Sequence, residues 1–365
     1  MIEKDSIYFE LLRVLATALV VVGHSSIFYK PFYDILSYNN VQIGRDGVVI
    51  FFVLSGYVIS WCGIERDSNW IDFSIKRMAR IYSVSVPAVI FSFSIAYLFL
   101  ELYNESSYPL KQIPLYATIY LTFTGYHFGL SETPPYDFPY WSLYYEVWFY
   151  VIFAILLFGR LIVKLFGIVL LALMGPDFWI MGGIWLVGVL LFIFRERLRV
   201  NNITAISFVI LSIVSYIVVK YYGYDNKIDM YIKYIANISE SSTWDAKPFW
   251  ASDYFITVLV ALNIIGAKNI SYDWPKYISR LLRWIAGMSF TFYLFHVPIF
   301  SIIERTIKYD SNSFVSYILI LSIFFFIIYT ITFITEKRKK QWRAMFLYLA
   351  LKIYNTKGHP DGMKI

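Results

Sequence analysis

The stretch of sequence that decides the fold lies at residues 314–335, FVSYILILSIFFFIIYTITFIT, where 22 consecutive residues carry no charge. A membrane-spanning helix needs about 20 predominantly apolar residues, because each residue advances about 1.5 Å through a hydrocarbon layer about 30 Å thick. This stretch meets that requirement by itself. It predicts a transmembrane helix close to the end of the 365-residue chain.

Comparable apolar stretches recur along the whole chain. Hydrophobic residues make up 59% of it and charged residues 16%, against about 45–50% and about 25% in soluble domains. A water-soluble protein cannot bury that much apolar surface and cover itself with so few charges. The sequence therefore predicts an all-α, polytopic transmembrane helix bundle embedded in a lipid bilayer. About ten spans are predicted, at 8–29, 41–61, 81–100, 140–158, 161–175, 177–194, 203–222, 249–267, 284–303 and 314–335.

The basic residues predict the topology. If the N-terminus is cytoplasmic and the apolar stretch 113–126 does not cross, 22 of the 32 Lys and Arg residues lie on the cytoplasmic side and 9 lie outside. Cytoplasmic loops are enriched in Lys and Arg, so this arrangement is favoured. We therefore predict a re-entrant segment near 113–126, a multi-pass protein of the inner (plasma) membrane, and two cytoplasmic termini. The net charge of +7 is then a topology signal, and we predict no nucleic-acid partner.

Some classes of protein are excluded by the cysteine count and the N-terminus. Cys62 is the only cysteine, which rules out an internal disulfide framework and a cysteine-based metal cluster. We predict no metal site. The N-terminus has no basic region and no small-residue cleavage site, so we expect the first helix to be a retained anchor.

Arg13 and His24 are the first candidate functional residues. Ionisable groups inside a membrane helix are costly and are therefore functional candidates. Eleven residues complete about three helical turns, so these two side chains share a face about 16 Å apart. Glu10 is spaced to pair with Arg13. A neutral imidazole is tolerated at membrane depth and accepts a proton near physiological pH, although a structural, hydrogen-bonded histidine has the same pattern.

Two further motifs follow in the second and third spans. Within the second span, residues 44–57 read GRDGVVIFFVLSGY, where the glycines permit close helix packing and Asp46 is placed at the outer mouth. Lys76, Arg77 and Arg80 then precede the third span. Three cations at helical spacing suit a phosphate-bearing ligand, and they equally suit lipid headgroups.

The fourth and ninth spans carry the remaining candidates. Trp141 begins the fourth span, in which Ser142 and Glu146 share a helix face. No cation is near Glu146 in sequence, so its carboxylate must find a partner or take a proton. His296 lies in the ninth span with Ser289 and Tyr293 on its face, and a structural role suits it as well as a ligand-facing one.

Together these motifs resemble the acyltransferase-3 family of integral-membrane O-acyltransferases, of the type that acetylates polysaccharides and O-antigens. They occur in the family's order and spacing from residue 8 to about 335. Val49 departs from the family pattern, because many members have an acidic residue there. The resemblance rests on Arg13-x10-His24, the 44–57 motif, Arg77-x-x-Arg80, Trp141-Ser142-Leu-x-x-Glu146 and the stretch 289–298.

The resemblance implies an enzyme that moves an acyl group, usually acetyl, from cytoplasmic acyl-CoA to a hydroxyl of a cell-surface polysaccharide or its lipid-linked precursor. Acetyl-CoA would be a co-substrate, with no permanently bound cofactor. His24, Arg13 and Glu146 are implied as catalytic, either through a base or through a transient acyl-histidine. The residues implied for donor binding are Lys76, Arg77 and Arg80; those implied for substrate binding are Asp46, Trp141, Ser142 and His296.

The implied domain organisation is a transmembrane acyltransferase domain at 1–335 and a short basic cytoplasmic tail at 336–365. We expect no appended hydrolase-like domain, because the tail has no Gly-Asp-Ser motif. The alternative is a polytopic transporter or flippase of a glycan or an anionic solute, which would also bury His, Glu and Arg. Such a protein would favour paired inverted repeats, and the sequence shows no such symmetry. Oligomeric state stays open.

Overall fold

The computed structural model describes residues 3–38, 42–103, 112–127, 129–235, 250–270 and 273–356. Every regular element in these ranges is a helix, which confirms the predicted all-α class. The helices are α1 (Glu3–Ser25), α2 (Lys30–Tyr38), α3 (Ile43–Trp61), α4 (Trp70–Tyr103), α5 (Ile113–Leu121), α6 (Trp141–Phe158), α7 (Leu161–Leu173), α8 (Pro176–Ile193), α9 (Asn202–Tyr221), α10 (Tyr224–Ile235), α11 (Trp250–Asn269), α12 (Lys276–Ala286), α13 (Ser289–Thr306), α14 (Phe314–Thr332) and α15 (Lys339–Thr356).

Eight regions in the described part of the chain are long and apolar enough to cross a membrane, and α12 with α13 adds a ninth as a bent pair. The eight contain α1, α3, α4, α6, α8, α9, α11 and α14. The multi-pass membrane fold is therefore confirmed. The fifth predicted span, 161–175, corresponds to α7, which has 13 residues. Its rise of about 20 Å is shorter than the hydrocarbon layer.

The stretch predicted to be re-entrant contains only a short helix. α5 has nine residues and rises about 14 Å, too little to cross a bilayer. The irregular backbone after it is covered by protein, because Phe123 and His127 are each 2% exposed. The hydroxyl of Tyr82 donates to the Leu121 carbonyl at 2.9 Å, and the indole of Trp148 donates to the Phe123 carbonyl at 2.9 Å. Such backbone is tolerated at membrane depth only where protein packs around it.

The described helices belong to two compact units. The first consists of Met1–Trp61, Pro176–Ser289 and Tyr309–Ile320. In it α3 packs against α1 and α8 through glycines. A Cβ at Gly47 would lie 2.5 Å from the Ala16 carbonyl oxygen of α1, and one at Gly56 would collide with the Trp185 carbonyl of α8. The glycines of the second motif thus permit the close packing that the sequence predicts.

The second unit consists of Cys62–Gly175, Phe290–Lys308 and Leu321–Ile365. Its α4 has 34 residues, so it rises about 51 Å and exceeds the thickness of the hydrocarbon layer. α15 packs on α4, with Phe346 against Tyr82 at a ring separation of 5.7 Å and Arg343 3.5 Å from Asp72. The predicted basic tail, 336–365, therefore contains a helix that is part of this unit.

The topology predicts which positions react with a reagent added outside the cell. In a Cys62→Ser background, a cysteine at exposed Ser131 should react with a membrane-impermeant maleimide, whereas one at exposed Asn202 should be protected. Three predicted crossings, by α6, α7 and α8, separate the two positions. Permeabilised membranes, in which both positions should react, provide the control. The reverse pattern would show that 113–126 crosses, and labelling of both positions from outside would show that α7 does not.

Candidate active site

His24 lies in the last turn of α1 in the first unit. Its Nδ1 atom is 2.9 Å from the Val20 carbonyl oxygen. A carbonyl only accepts hydrogen bonds, so Nδ1 carries the proton and the lone pair of the neutral ring resides on Nε2. The ring is half-buried, and a Cβ at Gly44 would lie 3.2 Å from its Cε1 atom. Glycine at this position lets the N-terminal turn of α3 lie against the imidazole.

Arg13 lies on α1 three turns before His24. Its guanidinium donates to the Glu10 carboxylate at 2.9 Å, which confirms the pairing that the spacing predicts. The helix rises about 16 Å between Arg13 and His24. That separation is too large for direct contact, so any contribution of Arg13 to catalysis does not involve touching the imidazole.

The predicted substrate-binding residue Asp46 is part of a buried ion-pair cluster. Its carboxylate accepts from Tyr216 at 2.9 Å and lies 2.8 Å from the ammonium of Lys220. Lys220 also contacts Asp225 at 2.7 Å. The Asp46 side chain that makes these contacts is only 5% exposed. In this structure Asp46 therefore holds the start of α3 to α9, beside the turn that contacts His24.

A second buried ion pair involves Arg45, the neighbour of Asp46. Its guanidinium donates to both carboxylate oxygens of Asp253 on α11, at 2.8 and 2.6 Å. The sequence motifs did not predict a role for Arg45, Lys220 or Asp253. Each is an ionisable residue at the end of an apolar helix, and that position is the sequence feature that could have identified it. Charge pairs thus fix the helix end next to His24 from two neighbouring helices.

In the second unit, the cations predicted to bind the donor are held by Asp67. The Asp67 side chain is 0% exposed, and its two carboxylate oxygens accept from Lys76 at 2.7 Å and Arg77 at 2.6 Å. Lys76 also contacts Asp72 at 2.6 Å, and the Arg77 guanidinium lies 4.4 Å from the centre of the Phe73 ring. Asp67 therefore fixes the positions of both cations.

Arg80 interacts electrostatically with a half-buried carboxylate of the same unit, Glu336. Glu336 accepts from the Thr291 hydroxyl at 3.0 Å and from the backbone amides of Phe290 and Thr291 at 3.4 Å. Glu336 directly follows the predicted domain boundary at residue 335, and the sequence analysis missed it for that reason. Its contacts connect the first residues of the predicted tail with α13 and α4.

The remaining predicted residues lie on α6 and α13 of the second unit. The Ser142 hydroxyl is 2.7 Å from the Tyr293 hydroxyl, which donates to the Pro139 carbonyl at 3.0 Å. Glu146 accepts from Tyr150, one turn further along α6. The Tyr150 hydroxyl is thus the partner that the sequence predicts for the Glu146 carboxylate.

His296 is fully buried on α13, and its Nδ1 atom is 2.7 Å from the Tyr293 carbonyl oxygen. Its ring contacts Phe300 edge-on at 6.2 Å, a setting that favours the structural role. Trp141 is half-buried, with its ring against Tyr145 at 5.7 Å. Of the two, Trp141 is the better placed to reach a substrate.

Comparison with known proteins identifies the family. The family model described as an acyltransferase domain matches residues 6–337. The chain belongs to the acyltransferase-3 family. The chain is also similar to an O-acetyl transferase of Shigella phage Sf6, with 35% identity over 86 residues, which cover 23% of this chain and 25% of the phage protein. No solved structure matches the chain.

Proposed function

We propose that this acyltransferase transfers an acyl group, usually acetyl, from cytoplasmic acyl-CoA to a hydroxyl of a cell-surface polysaccharide or its lipid-linked precursor. The observation that carries the proposal is the hydrogen bond between His24 Nδ1 and the Val20 carbonyl, since it leaves the basic lone pair on Nε2. The similarity to an O-acetyl transferase over 86 residues supports acetyl as the group and a hydroxyl as the acceptor. The enzyme would act in the plasma membrane with both termini in the cytoplasm.

In the proposed reaction His24 is the general base. Nε2 takes the proton of the acceptor hydroxyl as its oxygen attacks the thioester carbonyl, and the proton then passes to the departing CoA thiolate. The products are an ester and free CoA. A base that is held by a backbone hydrogen bond is fixed in orientation before the substrate arrives, which favours the reaction entropically.

Arg77 and Arg80 are proposed to bind the phosphates of the donor, with Lys76 beside them. The burial of Asp67 supports this assignment. Burying a carboxylate with two cations costs desolvation energy, so the arrangement is not explained by stability alone. Two carboxylates, Asp67 and Asp72, balance the charges of Lys76 and Arg77. The donor phosphates would therefore compete with these carboxylates for the two cations, and Arg80 would contribute a third.

Glycan analysis tests the proposed function. Surface polysaccharide from cells with the intact gene should carry one more acyl group per repeat unit than polysaccharide from cells without it, and mass spectrometry measures that increment. Complementation with the wild-type gene is the control. A transporter or flippase would instead change the amount of surface glycan and leave the mass of its repeat unit the same, and that result would contradict the proposal.

A further inference from the structure

Asp137 is a buried carboxyl without a hydrogen-bond partner. It lies in the second unit, four residues before the first turn of α6 begins at Trp141, and it is 0% exposed. Its backbone is satisfied, since its amide donates to the Pro134 carbonyl at 3.0 Å and its carbonyl accepts from the Tyr140 amide at 3.2 Å. Among the described residues, none forms a hydrogen bond with either carboxyl oxygen. Buried polar groups are otherwise almost always paired, so this exception calls for an explanation.

Tyr144 provides a second unpaired group close to Asp137. Its side chain is fully buried, and its hydroxyl has no hydrogen-bond partner. Tyr140 connects the two groups, because its amide donates to the Asp137 carbonyl at 3.2 Å and its ring lies edge-on to that of Tyr144. Asp137 and Tyr144 form no hydrogen bond to each other. The Tyr144 hydroxyl packs against the backbone of Gly125, where a Cβ would lie only 2.6 Å from the hydroxyl oxygen. The structure thus places a hydrogen-bond acceptor, the Asp137 carboxyl, close to a donor, the Tyr144 hydroxyl, and leaves both without a partner.

The surroundings of Asp137 supply no counter-charge. Within the part of the chain that the structure describes, no Lys, Arg or His forms an ion pair with it. Burial raises the pKa of the Asp137 carboxyl well above its usual range. The neighbours are aromatic, with Phe99 against Tyr136 and Tyr140 edge-on to Tyr144 at ring separations of 5.0 and 5.2 Å. The environment therefore suits an uncharged polar ligand.

We propose that Asp137 and Tyr144 together bind a hydroxyl group of the acceptor glycan. An alcohol is both a donor and an acceptor, so its O–H would donate to the Asp137 carboxyl and its oxygen would accept from the Tyr144 phenol. This inference rests on the proposed function and names two residues of its acceptor subsite. The position fits, since Asp137 precedes Trp141 and Ser142, the residues that the sequence predicts for substrate binding.

The test compares the kinetics of two variants that each remove one polar group. Asp137→Leu, which removes the acceptor oxygens, and Tyr144→Phe, which removes the donor hydroxyl, should each raise the acceptor KM about 10-fold or more, because a hydrogen bond to the substrate hydroxyl is lost. The donor KM should change less than about twofold, since neither group is expected to touch the donor. The probes are acetyl-CoA and the repeat-unit oligosaccharide from cells that lack the gene. Tyr82→Phe is the matched control, because it removes a phenol that already has a backbone partner.

A structural role would give a different pattern. If the two groups hold only an ordered water, the variants should unfold at a lower temperature and leave the acceptor KM unchanged, and that result would overturn the proposal. An equal rise of the donor and acceptor KM would also overturn it. If Asp137→Leu does not accumulate, Tyr144→Phe decides alone, because it deletes one hydroxyl without a partner. Absence of transfer by the wild-type protein would instead refute the proposed function itself.

Discussion

Replacing His24 with alanine is expected to abolish acyl transfer while the protein still accumulates in the membrane. The variant loses the Nε2 lone pair, and a positioned general base typically contributes about 100- to 10,000-fold to a rate. We therefore expect the rate of CoA release with acceptor present to fall at least about 100-fold. The protein should still fold, since the half-buried ring is hydrogen bonded to the backbone of its own helix.

Two further variants separate chemistry from structure at this position. In His24→Asn the amide nitrogen takes the place of Nδ1 and keeps a donor for the Val20 carbonyl, but no base remains. We expect it to be as inactive as His24→Ala. Ser26→Ala, which removes a comparable 2.7 Å hydrogen bond to the Gly23 carbonyl, should keep its activity. Normal acylation by His24→Asn would contradict the assignment of His24 as the base.

The transmembrane part of the fold was predictable because it depends on local composition. An apolar stretch such as 314–335 forms a helix in lipid whatever surrounds it, since its backbone has no other way to satisfy its hydrogen bonds. The helices that the sequence did not predict are α2, α10, most of α12, and α15. They carry charges and are short or polar, and helices of that kind depend on packing against neighbours for most of their stability. The packing of α15 on α4 is an example that hydropathy does not reveal.

The candidate site was predictable only where its residues are close in sequence. The spacing of Glu10 and Arg13 predicted their ion pair because one helical turn joins them. The partner of Asp46 is Lys220, 174 residues away, and nothing in the spacing selects it over other cations. The lone carboxyl of Asp137 was not predicted either. Whether a carboxyl near a helix start finds a partner depends on how several helices pack around it.

Replacing Arg77 or Arg80 with alanine is expected to raise the KM for acetyl-CoA about 10- to 100-fold. That range corresponds to the loss of a hydrogen bond between charged groups, about 1.5–3 kcal/mol. The acceptor KM should stay the same, and initial rates at varied donor and acceptor concentrations measure both. Lysine should restore only part of the affinity, because an ammonium cannot make the bidentate contact of a guanidinium. Arg343→Ala is the matched control, since it removes an exposed cation of the same unit.

The pairing of Arg77 with Asp67 makes a sharper test possible. Arg77→Ala leaves the buried Asp67 carboxylate with Lys76 as its remaining ion-pair partner. If the only task of Arg77 were to neutralise that carboxylate, the double variant Asp67→Asn/Arg77→Ala would regain a normal donor KM. We expect no such recovery, because the guanidinium that contacts the donor phosphates is still missing. Recovery would show that Arg77 is a structural cation, and Arg80 would then remain as the guanidinium proposed to bind the donor.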